Sequence, residues 1–162
     1  MLFKRKILFV INPKSGNGSN KPVFSDIEKV LKNDFHQIEV AYSNYKGHAT
    51  ELATLAIKNN FDVVVAVGGD GTVNEVALAL NGTGKSLAII PSGSGNGLAR
   101  HHKIPFNIQK ALQVIANNNV IDHDSIKINE FTSFNVSGIG FDALVAHLLE
   151  KTANEALSLM SN

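Results

Sequence analysis

The sequence predicts an α/β fold: a three-layer α/β/α domain on a parallel sheet, followed by the start of a β-rich second domain. Three observations carry this. Short continuous apolar runs, as strands buried on both faces have, alternate with stretches of helical periodicity. Glycine-bearing turns stand at the ends of those runs. After about Asn117 the alternation gives way to a hairpin pattern.

The elements follow in order. Ile7 to Ile11 is an unbroken apolar run and reads as a strand. Val23, Ile27, Val30 and Leu31 fall on one helical face, and Ile38, Val40 and Tyr42 alternate as in a second strand. Ala49, Leu52, Ala53, Ala56 and Ile57 sit at helical spacing. Val63 to Val67 is the clearest strand, β-branched and ended by glycines. Val73, Val76, Ala77 and Leu80 make the next helix, stopped by Asn81-Gly82. Leu87 to Ile90 is a further strand, ended by Pro91. Ile108, Ala111, Leu112 and Ile115 mark an amphipathic helix with Asn107 as N-cap. Strand and helix in alternation predict parallel pairing with helices on both faces. Beyond it, Val120–Ile128 and Phe131–Val136 read as two strands joined at Asn129-Glu130, and Leu144, Val145, Leu148 and Leu149 begin a helix. These spacings place one domain at 1–118 and the beginning of a truncated second one at 119–162.

Composition narrows the function classes. At 162 residues, 44% hydrophobic and 18% charged, the chain is ordinary globular material. A net charge of +1 gives no footprint for nucleic acid. With no cysteine, disulfides and thiolate metal sites are excluded, which fits a reducing, cytoplasmic setting. The apolar run near the start is too short for a signal peptide, and no run approaches transmembrane length. Any membrane contact is therefore expected to be peripheral. Asn-x-Ser/Thr triplets at Asn17, Asn81 and Asn135 carry no weight without a secretory signal.

The turns carry the chemistry. Gly68-Gly69-Asp70-Gly71-Thr72 follows the best strand and opens a helix, where backbone N–H groups and the positive dipole end favour phosphate. Asn12 to Gly16, Ser43 to Gly47, and Ser92 to Gly97 stand at three other strand ends. In an open parallel sheet all four can converge on one crevice. Glycines serving only tight turns are the plain alternative. Asp70 beside phosphates needs either Mg²⁺ between them or a substrate hydroxyl whose proton it takes; capping its own helix is the alternative. Gly84-Lys85-Ser86 resembles the tail of a Walker A loop, but Ala79 occupies the required glycine position and the triplet precedes a strand.

These residues carry a resemblance. NPKSG at 12–16, KGHA at 46–49, GGDGTVNEV at 68–76 and PSGSGNGLAR at 91–100 resemble, in order, the motifs of the diacylglycerol kinase catalytic domain family. That family includes bacterial lipid kinases, sphingosine kinases and ceramide kinases. VSGIGFDA at 136–143 looks like its next segment. GGDGT alone is shared with NAD kinases and phosphofructokinases; GGDGTxNEV between NPxSG and PxGSxN is far more specific.

The resemblance implies an ATP-binding α/β domain and a β-sandwich domain that helps hold lipid. It implies that Asn12, Pro13, Lys14, Ser15, Gly16, Ser43, Gly68, Gly69, Asp70, Gly71, Thr72, Asn74, Glu75 and Ser94 line the nucleotide. Asp70 would orient the lipid hydroxyl or accept its proton, and Mg²⁺ would bridge the phosphates. Lys14 either neutralises phosphate or is a solvated loop lysine. The acceptor would be a lipid of diacylglycerol or sphingoid-base type at the membrane surface. Ser43 and Ser94 replace the threonines usual in the bacterial enzymes, with equivalent hydroxyls. Gly97 replaces an aspartate of the bacterial diacylglycerol kinase pattern and leans toward the sphingosine kinase pattern. Asp142 matches a head-group-reading aspartate, or else caps a helix. His101 and His102 receive no role. Later segments of the family supply another acidic residue and a metal site, so either a longer gene product or a partner would complete the machinery. A dimer could cover the hairpin's edge. An NAD kinase-like enzyme and a non-catalytic nucleotide-binding module are the alternatives.

Overall fold

A computed structural model describes residues 5–16, 22 and 24–134. A four-stranded parallel sheet runs through the chain: β1 (Arg5–Ile11), β2 (Phe35–Tyr42), β3 (Val63–Gly68) and β4 (Ser86–Pro91), in the order β2-β1-β3-β4. The connections are α1 (Phe24–Leu31), α2 (His48–Lys58) and α3 (Asp70–Leu80); α4 (Gly97–His101) and α5 (Ile108–Asn117) follow β4.

Pleating sends alternate side chains of each central strand to opposite faces, and both faces are packed. Leu8, Val10, Val64, Ala66 and Ile89 meet Ala49, Ala53 and Ala56 of α2 and Val73, Val76 and Leu80 of α3. Ile7, Phe9, Ile11, Val63, Val65, Val67 and Ile90 meet Ile27 and Leu31 of α1 and Ala111, Leu112 and Ile115 of α5. This is the expected three-layer arrangement. The alanine stripe of α2 lets it lie close against α3. Strand order explains which helix covers which face. The step from β1 to β2 runs one way along the sheet, and the steps to β3 and β4 run the other. Right-handed crossovers then put α1 on one face and α2 with α3 on the other. The direction reverses between β1 and β3, so their carboxyl ends diverge into loops that leave on opposite faces and open a crevice.

Asn107 caps α5 as expected, its side chain accepting from the Lys110 amide at 3.1 Å. At the amino ends of the strands, Asp62 accepts from the Lys6 amide at 2.9 Å and pairs with Lys85 at 3.2 Å. That carboxylate is structural and lies at the opposite end of the sheet from the glycine turns.

Two differences from the sequence reading stand out. The helix α4 was not expected; it is a five-residue turn of helix opened by Asn96 in left-handed conformation, φ 54°. The strand expected over Val120–Ile128 is confined to β5 (Ile126–Ile128), which pairs antiparallel with β6 (Phe131–Ser133) across Asn129-Glu130. Val120 and Ile121 are exposed and belong to no strand, since among the described residues no strand pairs with them and Asp122 and Asp124 are poor strand formers. The helix expected from Leu144 and the continuation of the second strand to Val136 lie outside the described residues.

Candidate functional site

The four turns meet at the carboxyl end of the sheet. The first, Asn12–Gly16, leaves β1 with the Asn12 amide bonded to the Val67 carbonyl of β3 at 3.0 Å. The Asn12 side chain accepts from the Lys14 amide at 2.9 Å, which folds the turn back on itself, and its Nδ2 donates to Thr72 Oγ1 at 3.2 Å. One asparagine thus shapes the first turn and fastens it to the start of α3. The Ser15 hydroxyl lies 2.9 Å from the Asn12 carbonyl and 2.8 Å from the Ser92 hydroxyl of the fourth turn. Gly16 has φ +62°, and a Cβ there would fall 2.1 Å from the Ser92 carbonyl oxygen, so only glycine fits.

The second turn begins at buried Ser43, whose amide bonds to Ile11 O at 2.9 Å. Its far end is held by Glu75 of α3, which accepts from the Gly47 amide at 2.9 Å and the Ala49 amide at 3.2 Å. Glu75 therefore serves as the cap of α2, whose own N-cap position, Gly47, has no side chain to do so. Thr50 Oγ1 donates to the Glu75 carbonyl at 2.9 Å, adding a third tie. Glu75→Ala removes the acceptor of two amides at once. It is expected to lower unfolding free energy by about 1–3 kcal/mol, read as a lower urea midpoint at unchanged slope.

The third turn passes from Gly68 through Gly69 into α3. Gly69 is extended, and no side chain caps the helix there; the first intrahelical bond runs from the Val73 amide to Gly69 O at 3.1 Å. Asp70, Gly71 and Thr72 are the first three helical residues, so their N–H groups point out of the helix start into the crevice. Thr72 is buried and its hydroxyl is the one that Asn12 holds. The Asp70 carboxylate reaches the fourth turn and α4: Oδ1 accepts from the Leu98 amide at 3.4 Å, and Oδ2 lies against Gly95.

The fourth turn, Ser92–Gly97, is tied to the third by the Ser92 amide donating to Gly68 O at 2.9 Å. Buried Asn96 shapes it: Oδ1 accepts from the Gly93 amide at 2.9 Å and Nδ2 donates to the Gly93 carbonyl at 2.6 Å. A Cβ on Gly93 would lie 2.4 Å from Gly69 Cα, so the two turns touch backbone to backbone. From α4, Arg100 Nε donates to Gly95 O at 2.9 Å while its guanidinium sits 4.7 Å over the Phe106 ring.

The expected site residues are thus brought together, with distinct placements. Pro13, Lys14, Gly16, Gly71 and Ser94 are exposed at the crevice turns, and Asn74 is half-buried on α3. Asn12, Thr72 and Glu75 are engaged with neighbouring turns or helices. Asp142 lies outside the described residues. Sequence reading assigned no role to Ser92, Asn96 or Arg100. A buried asparagine within a glycine run was the available signal for Asn96; nothing local announced the Ser15–Ser92 contact.

A groove of about 650 Å³ lies elsewhere, along β4, lined by Leu87, Ile89, Val114, Val120, Ile121 and Phe134 among others. No residue of the four turns lines it. The turn crevice carries the convergent polar groups, and that decides which of the two is the candidate site. Beside the groove, His123 Nε2 meets the Phe134 carbonyl at 2.8 Å and Nδ1 meets His102 Nε2 at 3.2 Å. The carbonyl can only accept, so His123 Nε2–H donates there, and its Nδ1 can accept a hydrogen bond from His102 Nε2–H. Burial and the neighbouring His123 and His101 hold His102 below the usual histidine range.

Comparison with known proteins gives the family and the fold. The family model for the diacylglycerol kinase catalytic domain matches residues 6–128. A Klebsiella pneumoniae protein named "Probable lipid kinase YegS-like" is 33% identical over 137 residues, 83% of this chain and 45% of that protein. The Salmonella arizonae "Probable lipid kinase YegS" is 34% identical over 139 residues, 83% of this chain and 46% of that protein. A crystal structure of a diacylglycerol kinase from Bacillus anthracis superposes with TM-score 0.67 at 28% identity, over 79% of this chain and 45% of that one. A second Bacillus anthracis structure superposes at 0.65 with 30% identity, over 75% of this chain and 42% of that one. The chain spans about half the length of the curated relatives it matches.

Proposed function

The chain belongs to the diacylglycerol kinase catalytic domain family, and on that premise we propose that it is the ATP-binding part of a lipid kinase. The reaction would move the γ-phosphoryl group of ATP to a lipid hydroxyl of diacylglycerol or sphingoid-base type. One observation carries this reading: four backbone turns meet around a helix start whose N-cap residue, Gly69, has no side chain, and the Asp70 carboxylate stands there.

Phosphoryl transfer asks mainly for positioning and charge stabilisation. The amides of Asp70, Gly71 and Thr72, with the dipole of α3 behind them, would hold phosphate oxygens. The first and fourth turns, locked together by Ser15 and Ser92, would close on the phosphates from either side. Ser43 and Ser94 would add hydroxyl donors, and Lys14 a mobile positive charge. The lipid oxygen attacks the γ-phosphorus, the bond to the bridging oxygen breaks, and ADP leaves. Asp70 would take the hydroxyl proton on a carboxylate oxygen.

A divalent metal, typical of kinases, fits only in one form. Among the described residues no group of three or more His, Asp or Glu side chains could hold an ion. A Mg²⁺ bound chiefly by phosphate oxygens and one carboxylate suits that donor set, with Asp70 the carboxylate at hand. Such an ion would supply charge neutralisation to the phosphates.

None of the described helices is long and apolar enough to cross a membrane. We place the protein in the cytoplasm, meeting its lipid at the bilayer surface. The test is transfer of labelled γ-phosphate from ATP, with Mg²⁺, to vesicles containing diacylglycerol or sphingosine by the full-length protein. Label in the lipid is the expected result. Transfer to NAD with none to any lipid would sink the proposal.

A further inference from the structure

The second turn carries an aromatic pair that the phosphate-holding residues do not use. Tyr45 stacks on His48 with ring centroids 4.6 Å apart and planes at 8°. Both rings are fixed from behind. His48 Nδ1 accepts from the Asn44 amide at 3.1 Å, and the Tyr45 hydroxyl donates to Glu51 Oε2 at 2.8 Å. That hydrogen bond, then burial and the Glu51 charge, push the tyrosine hydroxyl above its usual range, so it stays a neutral donor. Yet Tyr45 is 58% exposed. A ring covered on one face and still this open presents its other face to solvent.

Such a ring is unusual on a turn that is otherwise tied down. Ser43, two residues before it, is anchored to Ile11, and Gly47, two residues after it, to Glu75. The turn as a whole sits on the carboxyl end of edge strand β2, two strand spacings from the start of α3, roughly 10 Å. The phosphates are proposed to lie at that helix start. A nucleoside triphosphate laid across the strand ends toward β2 would bring its base over the second turn, because phosphates and ribose intervene between the γ-phosphorus and the base.

Building on the ATP-site reading above, we infer that the open face of Tyr45 is the stacking platform for the base of the bound nucleoside triphosphate. A flat base on a flat, pre-positioned ring buries apolar area without ordering new side chains. Stacking of this kind tolerates any base, since every base has a π-face. Tyr45 therefore contributes affinity for a nucleotide over bare polyphosphate and leaves the choice among bases to other contacts.

The experiment separates the base from the phosphates. The full chain, its Tyr45→Ala variant and its Tyr45→Phe variant are titrated by calorimetry with ATP and, separately, with inorganic tripolyphosphate. Tyr45→Ala is expected to weaken ATP by about five- to one-hundred-fold, and tripolyphosphate by no more than about twofold. Tyr45→Phe keeps the ring and stays within about twofold of the parent for both. The chain has two tyrosines and no tryptophan, so in Tyr42→Phe all tyrosine emission comes from Tyr45. That emission is expected to change on adding ATP and to hold on adding tripolyphosphate. The inference is overturned if Tyr45→Ala binds ATP as the parent does, or loses tripolyphosphate as much as ATP. If the parent binds neither ligand, the ATP-site reading itself falls, and the base platform falls with it. If the parent binds both and only the Tyr45 effects are missing, the ATP site stands and the platform alone is refuted.

Discussion

Asp70→Asn is expected to lower phosphoryl transfer by about 10²- to 10⁴-fold while ATP binding changes by less than about tenfold. The substitution keeps the size and shape of the side chain. Its amide oxygen can still accept from the Leu98 amide, the bond that Asp70 Oδ1 makes at 3.4 Å. The start of α3 should thus keep its place, and what disappears is the charged carboxylate that takes the proton and that would share in holding Mg²⁺. Turnover under saturating ATP and lipid, beside calorimetric ATP binding, separates the two roles. Equal loss of binding and turnover would mean that Asp70 serves the architecture of the turns. Unchanged turnover would remove it from the mechanism.

Gly93→Ala is expected to cost about 1–3 kcal/mol of stability and to weaken ATP binding sharply, through geometry alone. The new Cβ would lie 2.4 Å from Gly69 Cα and 3.1 Å from Asn96 Oδ1. Gly69 offers no flexible side chain that could swing away, so one backbone has to retreat. Either the third turn shifts, taking the first amides of α3 with it, or the fourth turn lifts and loses its Asn96 bonds. Gly71→Ala is the steric contrast. Nothing lies within 4 Å of a Cβ there, and the residue is in the first turn of α3. That variant is expected to be more stable, by about 0.5–1 kcal/mol, because alanine favours helix. Urea midpoints for the two variants give the comparison. A Gly93→Ala protein as stable as the parent would show that the turns do not touch in solution.

Much of this arrangement was legible in the sequence. The runs Ile7–Ile11 and Val63–Val67 are apolar throughout because each strand packs helices on both faces, and that alone implies a three-layer parallel sheet. Asn107 could be recognised as a cap because its partner is three residues away. What escaped was non-local or marginal. Glu75 sits in a motif that suggested a nucleotide contact, yet its carboxylate reaches 28 positions back to Gly47, and only the packing of α2 on α3 brings those two together. Asn96 looked like one more polar residue in a glycine run; its left-handed backbone and its two hydrogen bonds with Gly93 appear only once the turn is folded. Val120 and Ile121 resembled the start of a strand, but apolar residues pair into a strand only where a partner offers its edge, and among the described residues the pairing is limited to Ile126–Ile128. The Tyr45–His48 stack lay in plain view within KGHA and its neighbours, but nothing in the spacing distinguished a stacked, open ring from a solvated one.

The claim on which everything else depends is that backbone amides from separate turns close around one polyphosphate. The most direct measurement is a crystal structure of the protein with a non-hydrolysable ATP analogue and Mg²⁺. The phosphates are expected within hydrogen-bonding distance of the Asp70, Gly71 and Thr72 amides, with the first and fourth turns on either side and the base over the second. An analogue bound along the β4 groove, with the turn crevice left empty, would contradict the account.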